Sequence, residues 1–145
     1  MANRSFQRLQ ALDKEIKIIH GQFAVDSTAT AFTGNLVTQS KSVGVKSIAR
    51  NSAGDYTLVL GVPGGSADTY SHFFGGYFDI QKSTAIGSTA GGVSFQLKGA
   101  PTVSTNGTIN FIALNSSGAA AEIGSGETVH FMFVLKNSNL PGVGV

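Results

Sequence analysis

Three histidines, eight carboxylates and no cysteine make up most of what this chain could use for chemistry. His20, His72 and His130 are widely separated, and none has a second histidine at the H-x-x-x-H spacing with which one element grips a metal. Neither an H-E-x-x-H run nor a G-x-S-x-G elbow is present. Without cysteine there is no disulfide, no thiol nucleophile and no thiolate metal site. The carboxylates are scattered singly, except that Asp13 and Glu15 sit beside Lys14 and Lys17. Asp55, Asp68 and Asp79 are the nearest candidates for the acid pair of a glycoside hydrolase, should the fold assemble one. Gly61-Val62-Pro63-Gly64-Gly65-Ser66 lacks the Lys-Ser/Thr pair of a phosphate loop and opens no helix, so it reads as a turn. No closely spaced set of oxygens suggests a calcium loop. Phe73, Phe74, Tyr77 and Phe78 could form a sugar-stacking platform, but ten Phe and no Trp fit a core better. The expectation is a protein with no catalytic residue, no metal and no cofactor.

The elements that would carry these residues are strands. Tyr56, Leu58, Leu60 and Val62 share one parity and Asp55, Thr57 and Val59 the other, the alternation of a half-buried strand. A second β-prone run holds Val45, Ile48 and Ala49, and Asn51-Ser52-Ala53-Gly54 between the two suits a hairpin turn. Such a hairpin needs further strands to cover its apolar face. Ile16, Ile18, Ile19, Phe23 and Val25 supply one, and the change of apolar parity at Ile18/Ile19 predicts a bulge or a strand buried on both faces. A short strand is expected at Leu36–Gln39, and an aromatic one at Ser71–Ile80 in which Gly75-Gly76 marks a sharp bend or a close backbone approach. Val93, Phe95 and Leu97 alternate with polar residues. Asn106-Gly107 is the strongest short hairpin signal, leading into Thr108–Leu114. In Thr128–Leu135, Val129, Phe131 and Phe133 line one face and His130, Met132 and Val134 the other, which predicts a central strand. The count is seven or eight short strands and almost no helix. An all-β fold follows, an antiparallel β-sandwich or a jelly-roll-like barrel spanning 16–145 as one domain, preceded by an N-terminal arm over 1–15.

That arm carries the one plausible helix, with Ser5 as its cap and Phe6, Leu9 and Leu12 along one side. It is too short to persist undocked. Residues 1–20 hold Arg4, Arg8, Lys14 and Lys17 against Asp13 and Glu15, while the remaining six basic and six acidic residues balance. A slightly basic arm on a neutral body suits docking to an acidic surface. No basic cluster with interleaved aromatics suggests direct nucleic-acid binding. No apolar run reaches transmembrane length, and residues 1–15 lack the apolar region of a secretory signal, so no membrane role is expected. Charged residues are 12% of the chain, about half the roughly 25% usual for soluble domains. Gly contributes 19 residues, leaving a mostly neutral, turn-rich surface with weak colloidal repulsion. Such a surface is more comfortable in an assembly.

Two segments carry a resemblance. Lys17-Ile18-Ile19-His20-Gly21 with Phe23 is followed by Gly44-Val45 and by Ile48-Ala49-Arg50-Asn51-Ser52-Ala53-Gly54-Asp55-Tyr56-Thr57. A short polar arm, a strand ending in Gly and Phe, then arginine, a small turn, Gly, a charge, Tyr and Thr, resembles small virion structural proteins of tailed bacteriophages. The resemblance covers roughly residues 4–60. It implies a capsid decoration (cement) protein, made in the host cytoplasm and carried on the outer head surface. Its expected partners are the major capsid protein and further copies of itself, as a homotrimer. No active-site residues come with the family. The interface residues expected in the arm are Phe6, Leu9 and Leu12 as apolar anchors, with Arg4 and Arg8 pairing to acidic groups. The alternative readings are a tail-fibre or baseplate module contacting a host surface, or a carbohydrate-binding domain or hydrolase.

Overall fold

Along Thr128–Lys136, Val129, Phe131, Phe133 and Leu135 are buried and the residues between them are half-buried, so both faces of this strand are covered in part. A strand flanked by hydrogen-bonding neighbours on both sides has that pattern. The computed structural model describes residues 16–24, 42–81, 93–123 and 127–136. The strands, in chain order, are β1 (Ile16–Ala24), β2 (Val45–Ser52), β3 (Asp55–Leu60), β4 (His72–Gln81), β5 (Ser94–Leu97), β6 (Thr108–Leu114) and β7 (Thr128–Lys136). They form two antiparallel sheets, a three-stranded one in the order β1-β7-β4 and a four-stranded one in the order β2-β3-β6-β5. The fold is an all-β sandwich. The two sheets do not close into a barrel, which removes the jelly-roll-like barrel from the two expected architectures.

Between the sheets lie Ile19, Phe23, Ile48, Tyr56, Leu58, Leu60, Ile109, Phe111, Val129, Phe133 and Leu135, all fully buried. Aromatic rings cross the interlayer. Phe23 of β1 meets Tyr56 of β3 at 5.6 Å and Phe111 of β6 at 6.2 Å, and Phe78 of β4 meets Phe111 at 4.6 Å. Burying such rings is the largest favourable contribution a domain of this size can make.

The β2–β3 turn is tighter than the sequence suggests. Ser52 pairs with Asp55, so the turn itself is Ala53-Gly54, and Asn51 is left as the extra residue of a bulge between Arg50 and Ser52. Gly54 takes φ +69°, and a Cβ there would lie 2.5 Å from the Ala121 carbonyl oxygen. Asn106-Gly107 does not form a two-residue hairpin. Thr102 bridges to Thr108, and Gly107 closes the wider turn between them. Pro63–Gly65 forms the expected turn, closed by a Gly61–Ala67 bridge. The bend expected at Gly75-Gly76 is present as a register shift between Phe73 and Gly75 that leaves Phe74 as the extra residue. No bulge occurs in β1, whose pairing with β7 runs unbroken from Ile16 to Ala24. The parity change at Ile18/Ile19 has another cause: Ile19 is buried, whereas Ile18 stands outside, 51% exposed. The strand expected at Leu36–Gln39, the arm helix and the interface residues Arg4, Phe6, Arg8, Leu9 and Leu12 lie outside the described residues.

Candidate functional site

The sandwich has two outer faces of different chemistry. On the four-stranded sheet, polar side chains satisfy one another in a line. Asn51 Nδ2 donates to Thr57 Oγ1 at 2.9 Å, and Thr57 Oγ1 donates to Asn110 Oδ1 at 2.8 Å. The same Asn51 amide reaches Asp55 Oδ1 at 3.3 Å, and Lys98 forms an ion pair with Asp55. Asp55, considered as a hydrolase acid, is thus a nearly buried carboxylate with two partners, at the start of β3.

The outer face of β1-β7-β4 is built differently. Alternation places Ile18, His20 and Gln22 of β1 on it, together with His130, Met132 and Val134 of β7 and Tyr77 and Asp79 of β4. The registers set them in rows, His20 beside Met132 beside Tyr77, then Gln22 beside His130 beside Asp79. Ile18 lies beside Val134, next to the bulge that carries Phe74. Of the seven large exposed hydrophobics among the described residues, Ile16, Ile18, Phe74 and Tyr77 belong to this one sheet. Met132 and Val134 fill the middle of the patch and are half-buried. Imidazoles, an amide, Asp79 and Lys136 border it. An apolar centre with a polar rim is the anatomy of a protein–protein contact surface.

All three histidines fall on this face. His72 pairs with Lys136 at one end, His20 with Met132 in the middle, and His130 with Asp79 at the other end. His130 Nε2 is 3.0 Å from Gln81 Oε1, and His72 Nδ1 is 3.3 Å from Ser71 Oγ. Among the described residues no group of three or more His, Cys, Asp and Glu could hold a metal. Asp79 accepts from the neighbouring Ile80 amide at 2.9 Å, and Asp68 lies in the connection before β4. Asp55 and Asp79 belong to different sheets with opposite outer faces, so the fold does not pair them as a hydrolase would need.

A concavity of about 450 Å³ opens where β4 and β5 leave the two sheets unjoined. Phe73, Phe78, Phe95, Leu97 and Phe133 line it, with no carboxylate and no imidazole. Tyr77 is the one ionisable side chain on its lining. Phe73 and Phe78 pack against the core, so two of the four aromatics considered as a sugar platform point inward, and Phe74 and Tyr77 point outward.

The strongest electrostatic perturbation sits at one end of the sandwich. Arg50 of β2 forms an ion pair with Glu122, and its Nε also donates to Glu122 Oε2, at 3.3 Å. The hydrogen bond to Glu122 holds the Arg50 guanidinium above its ordinary pKa against the opposing effect of burial. Tyr56 is fully buried close to this pair, and its hydroxyl has no hydrogen-bond partner. Burial, and then the Glu122 carboxylate, push its phenol far above the usual range, while Arg50 pulls the other way. Burial also raises Tyr70, with Asp68 adding to it. These are structural groups: none lines the concavity beside β4 and β5.

Sequence reasoning did not single out Ile18, Met132 and Val134 as a surface. Its signal was there, since β1 and β7 both carry apolar residues on both parities. Comparison with family models, with curated proteins and with solved structures finds no match to the chain.

Proposed function

We propose that this chain is a structural subunit of a larger particle, a decoration (cement) protein of a phage-type head, which attaches by surface burial and performs no reaction. The observation that carries the reading is the outer face of β1-β7-β4, where Ile18, Phe74, Tyr77, Met132 and Val134 form an apolar patch on an otherwise well-satisfied sandwich. A face of this kind on a neutral, sparsely charged protein gains free energy when covered. The resemblance of residues 4–60 to tailed-phage virion proteins supplies the kind of particle: the partner is the major capsid protein, the subunit is a homotrimer, and the destination is the outer head surface. In this reading the basic arm, with Arg4, Arg8, Phe6, Leu9 and Leu12, supplies a second contact beside the sheet face.

The test is co-sedimentation with purified heads. The full chain is expected to pellet with heads and to raise their resistance to heat. A chain lacking residues 1–12, and a full chain carrying Ile18→Asp with Val134→Asp, are each expected to keep the folded circular-dichroism spectrum and to stay in the supernatant. Retention of both variants at the wild-type level would overturn the proposal.

A further inference from the structure

The two sheets are unequal. Three strands, β1-β7-β4, lie over the four of β2-β3-β6-β5. Ring contacts set the alignment, with Phe23 of β1 on Tyr56 of β3, and Phe78 of β4 on both Phe111 of β6 and Phe95 of β5. The position beside β4, over β5, has no strand among the described residues, and there the concavity of about 450 Å³ opens. The opposite margin is covered. The Val43 N–H donates to the His20 carbonyl at 2.7 Å, and the Gln22 N–H to Ser42 Oγ at 3.3 Å.

Those two bonds also settle which backbone groups of β4 are free. His20 and Gln22 turn away from β7, so by alternation Ile19, Gly21 and Phe23 exchange hydrogen bonds with Phe133, Phe131 and Val129. Met132 and His130 are left to bond across to Tyr77 and Asp79 on β4. Gly76, Phe78 and Ile80 therefore turn their N–H and C=O groups away from the sheet. Ile80 agrees, since its N–H donates to Asp79 Oδ1 at 2.9 Å. Among the described residues no side chain caps Gly76 or Phe78, and both line the concavity. Phe95 on the facing edge also turns outward, because its partner Ala113 donates to the Gly54 carbonyl instead of to β5. A Cβ on Gly75 would meet nothing within 4 Å, so the space beside the β4 edge is open. An apolar cleft rimmed by unpaired backbone groups fits one more strand, whose alternate side chains fill it.

Residues 137–145 follow β7 and lie outside the described residues. Pro141, Val143 and Val145 share one parity there and Gly142 and Gly144 the other, an apolar face backed by a bare one. Five extended residues span about 16 Å, enough to run beside both Gly76 and Phe78. The longer stretches elsewhere suit the cleft less. The N-terminal arm is charged, residues 25–41 leave β1 at Ala24 and return to its margin at Ser42, and 82–92 link β4 to β5.

Lys136 ends β7 opposite His72, the first residue of β4. A tail folding back within its own subunit would therefore run parallel to β4. All five ladders among the described residues are antiparallel, which is the stronger pairing. A tail from another copy enters at the far end and pairs antiparallel.

We propose that residues 141–145 of a second copy occupy the concavity between β4 and β5 as an antiparallel strand beside β4, each subunit completing the sandwich of the next. Val143 and Val145 fill the cleft, and Pro141, with no N–H to give, ends the pairing. Head-to-tail exchange of this kind makes a ring where the rotation closes. It goes beyond the head-attachment reading and supplies the contact between copies that its homotrimer requires.

The chain has no cysteine, so introduced ones report on this contact alone. Val143→Cys and Leu97→Cys are made in separate full chains, mixed while dilute, concentrated and oxidised. Leu97 stands on the rim of the concavity, 41% exposed, so its replacement leaves the core intact. A disulfide joining the two variants is expected, forming about tenfold faster than either variant bonds to itself. The chain carrying both cysteines is expected to give covalent multimers. An internal bond in that chain would overturn the proposal by identifying the subunit's own tail as the occupant, and so would absence of the mixed disulfide.

Hydrogen exchange gives a second readout without cysteines. The Gly76 and Phe78 amides are expected to exchange about tenfold more slowly in the assembled full chain than in a chain lacking residues 137–145, which should be a folded monomer. Full chain diluted to the monomer serves as the reference if that variant does not fold. Equal exchange, protection in a monomeric full chain, or an oligomer that survives the deletion would each overturn the proposal. Mixed disulfides without co-sedimentation with heads would sink the head-decoration reading and leave this contact standing. Co-sedimentation without the disulfides would do the reverse.

Discussion

A methyl group on Gly76 would lie 2.3 Å from Cδ1 of Phe133, its direct partner on the neighbouring strand. The same relationship recurs on the other side of β7, where a Cβ on Gly21 would lie 2.7 Å from Cζ of its partner Phe131. Phe131 and Phe133 are stacked with centroids 5.4 Å apart. Each ring lies over the glycine of a different edge strand, so the central strand is clamped into the sheet by its two aromatics.

Gly76→Ala is therefore expected to destabilise the fold by about 1–3 kcal/mol, the usual cost of forcing extra volume into a packed site. Rotating the Phe133 ring does not relieve it, because the same Cβ would lie 2.5 Å from the Met132 carbonyl oxygen. Urea unfolding of the variant should show a lower midpoint with an unchanged slope.

Tyr56→Phe is expected to stabilise the protein, by about 1 kcal/mol, although it removes a polar group from a fully buried aromatic residue. The hydroxyl is desolvated and has no partner, while the ring contact with Phe111 at 5.3 Å is kept. A loss of stability in thermal unfolding would show that the hydroxyl is bonded after all.

The same residue sets an alkaline limit. Burial raises the folded-state pKa of Tyr56 above its unfolded value of about 10, so the unfolded chain loses this proton first. Its contribution to stability is complete below about pH 10 and is lost as pH rises through the folded-state value. Tyr70 shifts in the same direction and adds to the effect. Denaturation midpoints should fall steeply above about pH 10, and less steeply in Tyr56→Phe.

The sequence made the sandwich legible because alternation survives wherever one face is buried, as in Tyr56-Leu58-Leu60 and Val129-Phe131-Phe133. It misled at Ile18, where an apolar residue on the wrong parity reads as a bulge. Period-two logic assumes that apolar means inward, and an exposed apolar residue such as Ile18 breaks that assumption without disturbing the ladder. Asn106-Gly107 misled for a different reason. The dipeptide specifies a left-handed residue, which Gly107 provides at φ +64°, but not the number of residues the turn encloses. The convergence of His20, His72 and His130 on one face depends on β1, β7 and β4 sharing a sheet, and spacing along the chain carries no information about strand order.

Two ion pairs that involve the four-stranded sheet should behave differently. Arg50 is largely buried where it meets Glu122, its side chain 11% exposed, whereas Lys98 is 54% exposed where it meets Asp55. Glu122→Ala is expected to cost about 1–3 kcal/mol, since it takes a carboxylate from a largely desolvated guanidinium. Lys98→Ala should cost at most about 1 kcal/mol, because the pair is screened by solvent and Asp55 keeps its Asn51 contact. Raising the salt concentration should erase most of the Lys98 effect and little of the Glu122 effect.

Phe74 separates attachment from stability most cleanly. It is the extra residue of the β4 bulge, 61% exposed, and outside the ring contacts that join Phe73 and Phe78 to the core. Phe74→Ser should therefore leave the unfolding free energy within about 0.5 kcal/mol of wild type and improve solubility. If the outer face of β1-β7-β4 is what the particle covers, the same substitution removes one of its largest apolar anchors, and retention on heads should fall at least tenfold, a typical anchor being worth about 2 kcal/mol. Phe73→Ser, one residue away but packed on Phe133, should do the reverse: it should unfold the protein more readily, while the fraction that remains folded attaches normally. Loss of attachment in the Phe73 variant at temperatures where it is fully folded, with none in the Phe74 variant, would place the contact on the β4–β5 side of the sandwich instead.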